Sequence, residues 1–320
     1  MIPDAPSSPP VSASSDDHRR ASSPPSIAHD RSSLAREITT EEKDIYRREG
    51  ATVLRGIIPP EWIAHLRGGF DALERNFGPD VLIERPGGNK GRYVNEQDRW
   101  RAIPQFYDFA MESPISEIAA TIMVSQTVNF FIDQYFIKDE GVVLPTPWHQ
   151  DLPYLSVSGH QIVRVWVPTD PMPREMSLEV ALGSHLGDVL YRPVQATPSA
   201  NYKYDERLPL LPDESEIRKR WKIGAWDVVP GDCLVFHGGL LHGSPGGSVT
   251  GGGRRRVAAY LWAGDDARYT IRPGRNMPPL PVAGVSDGGR LDSAMFPRVW
   301  PRPLPASLAA MRPPRPVLAA

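Results

Sequence analysis

Apolar positions in this 320-residue chain change their period partway along, from helical spacing to strand alternation. Before Thr127 the period is helical. Thr39-Thr40-Glu41-Glu42 has the form of a capping box, in which a hydroxyl and a carboxylate satisfy the first free amides of a helix, and Gly50 supplies a stop. A short helix to about Glu49 is predicted, with a strand over Ala51–Leu54. Pro59-Pro60 opens a longer helix, because proline has no amide to lose in the first turn, and Trp62, Leu66, Leu73 and Phe77 recur on one stripe. That stripe reads as a packing face rather than a binding surface. Ser113-Pro114 opens another helix, with Ile115, Ile118, Ala119 and Ile122 on its buried side. Arg85 to Trp100, which carries Pro86-Gly87-Gly88-Asn89-Lys90-Gly91, reads as a loop or hairpin reaching toward the mouth of a site.

From Thr127 the pattern becomes strand-like. Val128, Phe130, Ile132 and Gln134 alternate with Asn129, Phe131, Asp133 and Tyr135, as expected of a strand buried on both faces. Similar runs recur at Gln161–Val167, Leu178–Leu182, Asp227–Val229, Leu234–Phe236 and Arg256–Trp262. Helices first and short strands after predict a mainly β fold with flanking helices, a helix-buttressed jelly roll.

Composition alters the picture mainly at the ends. Of 35 prolines, 6 lie in residues 1–30 and 11 in residues 273–320. Residues 1–36 are Ser/Pro-rich with few large apolar groups, so burial cannot offset their ordering entropy and disorder is expected. They lack the apolar core of a secretory signal, and Asp4, Asp16, Asp17 and Asp30 are foreign to a mitochondrial transit peptide. A single catalytic domain over residues 37–270 is therefore expected, followed by a Pro-rich extension over residues 271–320. A net charge of -2 excludes the broad basic field of a nucleic-acid binder, and no apolar run is long enough for a membrane helix. Cys233 has no partner for an intramolecular disulfide, which favours a reducing, cytoplasmic compartment. A small-molecule substrate fits these bounds, and nothing in the pattern selects an oligomeric state.

The candidate chemistry lies in Trp148-His149-Gln150-Asp151-Leu152 and, far downstream, His242-Gly243-Ser244. On an extended strand His149 and Asp151 share one face, so an imidazole and a carboxylate aim at one point while Gln150 faces away. With His242 as the second imidazole, the set is the facial arrangement of non-haem Fe(II) oxygenases. His237 is a rival for that place, and His185 and Asp232 read as structural residues on turns. Trp148 and Tyr154 are either pocket or core aromatics.

The ordered set His149-Gln150-Asp151, Trp166, Gly183-Ser184-His185, Pro230-Gly231-Asp232, His242-Gly243-Ser244 and Arg254-Arg255-Arg256 resembles the phytanoyl-CoA dioxygenase family of Fe(II)/2-oxoglutarate-dependent oxygenases. The resemblance implies a double-stranded β-helix, a cupin-like jelly roll, with Fe(II) held by His149, Asp151 and His242. It also implies 2-oxoglutarate and dioxygen as co-substrates, and hydroxylation of an organic molecule with release of succinate and carbon dioxide. Carried over residue by residue, it assigns Arg255 to the 2-oxoglutarate carboxylate and Trp166, Ser244 and Gln134 to the surrounding pocket. Strand alternation allows Arg255 to point inward with Val257 and Ala259 while Arg254 and Arg256 point outward. Asp151 separates the chain from related halogenases, which leave that position empty for chloride. Where the family has an Asn-Gly turn, this chain reads Arg174-Glu175-Met176-Ser177. Two other readings use the same ligands: a metal-binding jelly roll without turnover, and a zinc-dependent hydrolase or isomerase on a cupin-like scaffold.

Overall fold

Thr39 caps the first helix as its sequence requires: its hydroxyl accepts the Glu42 amide at 3.2 Å, and the Glu42 carboxylate accepts the Thr39 amide at 2.8 Å. The computed structural model describes residues 34–85, 91–143, 145–195, 203–249, 253–274, 277–278 and 282–302. Residues 1–33, the end of the C-terminal extension from residue 303, and residues 86–90 of the expected loop lie outside these. In chain order the elements begin with α1 (Thr40–Glu49), β1 (Ala51–Leu54), α2 (Pro60–Arg75), β2 (Leu82–Glu84), β3 (Tyr93–Gln97), α3 (Pro104–Glu112), α4 (Ile115–Met123) and β4 (Val128–Lys138). There follow β5 (Gly141–Val143), β6 (Thr146–His149), β7 (Val157–Ser158), β8 (Ile162–Pro168), β9 (Glu179–Ala181), α5 (Glu214–Arg220) and β10 (Ile223–Gly224). The last strands are β11 (Cys233–His237), β12 (His242–Ser244), β13 (Gly247–Val249), β14 (Arg255–Ala263), β15 (Arg268–Tyr269) and β16 (Arg298–Trp300).

Gly50 ends α1 at φ 77°, and a side chain there would run into the His185 ring at 2.4 Å. Its carbonyl accepts the His237 amide, which fixes the start of β1 against β11. Thr39→Ala removes one side of the reciprocal cap and is expected to lower stability by about 1 kcal/mol, read from the midpoint of chemical denaturation.

The strands form an antiparallel sheet in the order β1-β11-β8-β14-β4-β3-β2, with β16 also on β4, and a smaller antiparallel sheet in the order β10-β9-β12-β6. Alternation sorts the large sheet into two faces. On β8, Val163, Val165 and Val167 pack toward Trp62, Leu66 and Phe70 of α2 and Phe106 and Phe109 of α3. Arg164 and Trp166 on the same strand line a cavity, and Trp166 packs with Val180 of the small sheet. On β14, Ala258, Tyr260 and Trp262 join the helix-side core, while Arg255, Val257 and Ala259 line the cavity. The fold is a double-stranded β-helix with helices on one outer face.

Three local expectations need correction, and one helix was not expected. Alternation along β4 is not continuous: Trp262 pairs with Phe130 and Leu261 with Ile132, leaving Phe131 as an extra residue. This bulge lets Phe130 face the helices while Gln134 faces the cavity. Asp227–Val229 forms no strand; Val228 makes one bridge to Met172, and Pro230, lacking an amide, opens a turn at Gly231 with φ 103°. α2 stops at Arg75, so Phe77 packs on the core from beyond the helix, beside Gly78, whose amide is held by the Glu96 carboxylate. α3 lacks a counterpart in the sequence reading, although Pro104 at its first turn and buried Phe106, Phe109 and Ala110 follow the usual helical signals.

A hairpin is present, but it starts earlier than expected: β2 lies before Arg85 and pairs with β3, which alone falls within Arg85–Trp100 and whose Tyr93, Asn95 and Gln97 line the cavity. The stretch after Asp265 also contributes to the fold. β16 pairs with β4, and Phe296 stacks on the bulged Phe131 with centroids 4.7 Å apart. No helix among the described residues is long and apolar enough to cross a membrane.

Candidate active site

β6 and β12 lie side by side with His149 directly opposite His242, so their register alone brings two imidazoles together, 4.2 Å between ring centroids. Each Nδ1 meets a carbonyl two residues back, His149 that of Pro147 at 2.8 Å and His242 that of Leu240 at 2.9 Å. Nδ1 can only donate there, so both Nε2 lone pairs are left for a metal.

The third member arrives by a different route from the one strand alternation predicts. β6 ends at His149, and Asp151 has helical backbone (φ -73°, ψ -44°) where a short 3-10 turn, Leu152–Tyr154, begins. Amides of Asp151 and Leu152 both donate to the Gly238 carbonyl, at 3.1 and 3.0 Å, and this fixes the turn. Asp151 Oδ1 then sits 3.9 Å from His149 Nε2 and 3.8 Å from His242 Nε2. Among the described residues, these three form the one group of His, Cys, Asp or Glu side chains arranged to hold a metal ion.

Arg164 Nε donates to the other carboxylate oxygen, Oδ2, at 2.8 Å, so Oδ1 alone is offered to the centre. Burial pushes the Asp151 carboxyl upward, but the Arg164 guanidinium, with His242 and His149, outweighs it and holds the group down at about 2. Burial and the neighbouring His149 lower His242 to about 3, and burial also lowers His149. An ionised carboxylate beside two neutral imidazoles is the protonation state in which a divalent cation is bound.

The Gly-rich and Gly-Ser-His motifs hold these ligands in place. Gln150, just past the end of β6, turns away from the centre, and its side-chain amide donates to the Gly239 and Val189 carbonyls while accepting the Tyr191 amide. Ser184 Oγ accepts the Leu241 amide, next to His242. Gly243 lets β12 approach β6, since a side chain there would meet the Thr146 carbonyl at 3.0 Å. His237 stands outside the ligand set: its Nδ1 accepts the Gly239 amide and its Nε2 contacts the His160 carbonyl. His185 packs against the His237 ring, 5.2 Å between centroids. The Asp232 carboxylate accepts the Gly56 and Val229 amides and pairs with Arg55.

Farther along the same cavity the three arginines separate. Arg254 pairs with Glu74 and Asp139, and Arg256 with Asp170 and Asp71. Arg255 lines the cavity with Nε and Nη1 buried and without a hydrogen-bond partner, and burial lowers its pKa. A buried guanidinium with donors to spare fits an anion supplied from outside the chain, and its planar fork matches a carboxylate. Lys138 stands opposite Arg255 in the β4–β14 register and donates to Ser244 Oγ at 2.9 Å. Burial, with Arg255 beside it, lowers this lysine to about 8. Trp166 and Gln134 line the same cavity, with Gln134 Nε2 donating to Asn95 at 2.9 Å.

Tyr154 reaches the cavity, whereas Trp148 packs in a separate cluster with Ala181, Ile217 and Leu241. Two cationic lining residues escaped the sequence reading, Lys138 and Arg164. Both carried a signal. Lys138 lies four residues past Gln134, on the same strand face, and Arg164 is the lone charge in an apolar run two residues before Trp166.

A model of the family described as phytanoyl-CoA dioxygenase (PhyH) matches residues 46–257. No curated protein matches the sequence. Similar solved structures include SnoK, a non-heme alpha ketoglutarate dependent carbocyclase from nogalamycin biosynthesis, with TM-score 0.63 and 19% identity over 83% of this chain and 98% of that one. The epimerase SnoN in complex with Fe3+, alpha ketoglutarate and nogalamycin RO gives TM-score 0.59 and 18% identity over 81% of this chain and 97% of its own. EctD from S. alaskensis with 2-oxoglutarate and 5-hydroxyectoine gives TM-score 0.59 and 19% identity over 79% and 85%. At these identities the likeness is one of fold.

Proposed function

The chain belongs to the phytanoyl-CoA dioxygenase family, and from that premise we propose that it is a non-haem Fe(II)- and 2-oxoglutarate-dependent dioxygenase. Its reaction is the hydroxylation of a small organic molecule, lipid-like, acyl-CoA or secondary metabolite, with release of succinate and carbon dioxide. One observation carries the reading: a His-Asp-His set suited to a divalent metal shares a cavity with the Arg255 guanidinium, whose buried Nε and Nη1 have no hydrogen-bond partner among the described residues.

In this reading His149 Nε2, Asp151 Oδ1 and His242 Nε2 hold Fe(II) on one face and leave its remaining positions open. Arg255 would bind the distal carboxylate of 2-oxoglutarate, with the Ser244 hydroxyl and Lys138 beside it, and Trp166 and Gln134 would line the same pocket. When bound, Fe(II), 2-oxoglutarate and dioxygen supply the oxidising power that the side chains lack. The chain's part is positional. Backbone carbonyls fix both imidazole tautomers, and Arg164 restricts Asp151 to one oxygen. Retention of Asp151 favours oxygen transfer over halogenation. A zinc hydrolase would use the same three ligands but would not need 2-oxoglutarate.

Succinate formation is the direct test. It is expected to require Fe(II), 2-oxoglutarate and dioxygen together, to stop when zinc replaces iron, and to accelerate with a substrate whose product gains one oxygen atom. Turnover with zinc in the absence of dioxygen would replace this reading with the hydrolase one. A product that loses two hydrogens, or changes only its stereochemistry, would keep the cofactors and overturn hydroxylation.

A further inference from the structure

Arg164 is the one charged residue in the strand Ile162–Pro168, and its side chain is only 4% exposed. Its Nε is committed to Asp151, yet its Nη1 is buried without a hydrogen-bond partner on a side chain that lines the cavity. A guanidinium carries five N–H donors, so the single bond to Asp151 leaves it far from satisfied, and an unmet buried donor favours any ligand that brings an acceptor.

Charge points the same way. Arg164, Arg255 and Lys138 line the cavity against Asp151, with Asp80 exposed at its rim. A divalent metal and dianionic 2-oxoglutarate cancel in formal charge, so an excess of positive charge remains after both are in place. In the proposed reading 2-oxoglutarate would not need Arg164, because Arg255, Ser244 and Lys138 lie together to take its distal carboxylate. The cavity wall also offers apolar and aromatic surface from Leu82, Phe136, Met172, Val257 and Met277, beside the neutral polar groups of Asn95, Gln97 and Gln134.

Building on the proposed oxygenase function, we propose that Arg164 is a specificity-determining residue whose free Nη1 binds a carboxylate on the substrate, so that the enzyme acts on a small organic acid with an apolar body. The same guanidinium thereby joins the metal ligand Asp151 to the substrate and sets the acid group at a fixed distance from the reacting centre. Such a pair is charge-assisted and shielded from water.

The experiment uses the full-length chain, held without oxygen in Fe(II) and 2-oxoglutarate, and titrates calorimetrically two acids and their amides: benzoate with benzamide, and 4-phenylbutyrate with 4-phenylbutyramide. At least one acid is expected to bind about tenfold or more tightly than its amide. In Arg164→Gln, which keeps a donor for Asp151, that preference falls to within about threefold while the 2-oxoglutarate Kd changes by less than about threefold. Arg164→Lys, which keeps the charge, retains part of the preference. Equal binding of acids and amides by the wild-type chain, or no binding of either, overturns the inference whatever the variants do. So does a preference that survives in Arg164→Gln. A 2-oxoglutarate Kd that rises by about tenfold in that variant, with the acid preference intact, would hand Nη1 to the co-substrate instead. The visible band of the Fe(II)–2-oxoglutarate chelate, recorded on the same wild-type sample, separates the two levels. Its absence overturns the oxygenase reading and this inference together, and its presence without an acid preference overturns this inference alone.

Discussion

Replacing His242 with alanine is expected to abolish succinate formation and to weaken Fe(II) binding by more than about a hundredfold, since loss of a partner outside the metal's own ligands already costs 10–100-fold. His242 supplies one of two neutral imidazoles, and no other histidine among the described residues is placed to substitute: His237 is tied to the Gly239 amide and the His160 carbonyl. The pair Asp151 and His149 that remains offers one carboxylate oxygen and one nitrogen. Equilibrium dialysis of Fe(II), with far-UV circular dichroism to show that the fold is retained, measures the effect. Undiminished iron binding by a folded His242→Ala chain would remove His242 from the ligand set.

The second large effect is expected at Arg255. Truncating one partner of a buried, hydrogen-bonded charge pair costs about 2–5 kcal/mol, which corresponds to a rise of roughly 30-fold to several thousandfold in the Kd for 2-oxoglutarate in Arg255→Ala. Iron affinity should stay within about threefold, because Arg255 makes no contact with Asp151 or either histidine among its described interactions. Arg255→Lys is expected to recover only part of the loss, as an ammonium lacks the planar fork. Arg254→Ala, at a residue already paired with Glu74 and Asp139, serves as the comparison and should leave the 2-oxoglutarate Kd nearly unchanged. The reverse order, with Arg254 the more damaging change, would mean that the register of the carboxylate site is one residue off.

Much of this site was legible in the order of its residues, and the reasons are local. The capping box at Thr39, the stop at Gly50 and the strand Ala51–Leu54 are written in neighbouring side chains, and the structure has them at those positions. Alternation on β14 likewise turns Arg255 inward with Val257 and Ala259, because nothing interrupts the pleat between them. Reading failed where a distant backbone group decides the geometry. Asp151 reaches the metal site through a turn held by the Gly238 carbonyl, a contact across the fold that strand periodicity does not encode. The bulge at Phe131 is also set by a partner strand, β14, and by the stacking of Phe296 from near the end of the described chain. Arg164 and Lys138 were visible as charges in apolar strands, but their meaning depends on which face meets the cavity. A family resemblance supplies the ligands of the metal and the co-substrate, and offers no place for a residue such as Arg164.

The measurement that bears most directly on the central assignment is an anaerobic titration of the purified, metal-free chain with Fe(II) and then 2-oxoglutarate, followed by visible absorption. Formation of a charge-transfer band that saturates with both additions, disappears in His242→Ala and requires far more 2-oxoglutarate in Arg255→Ala is the expected result. A folded wild-type chain that takes up iron yet shows no band at saturating 2-oxoglutarate would contradict the assignment of His149, Asp151, His242 and Arg255 to one oxygenase centre.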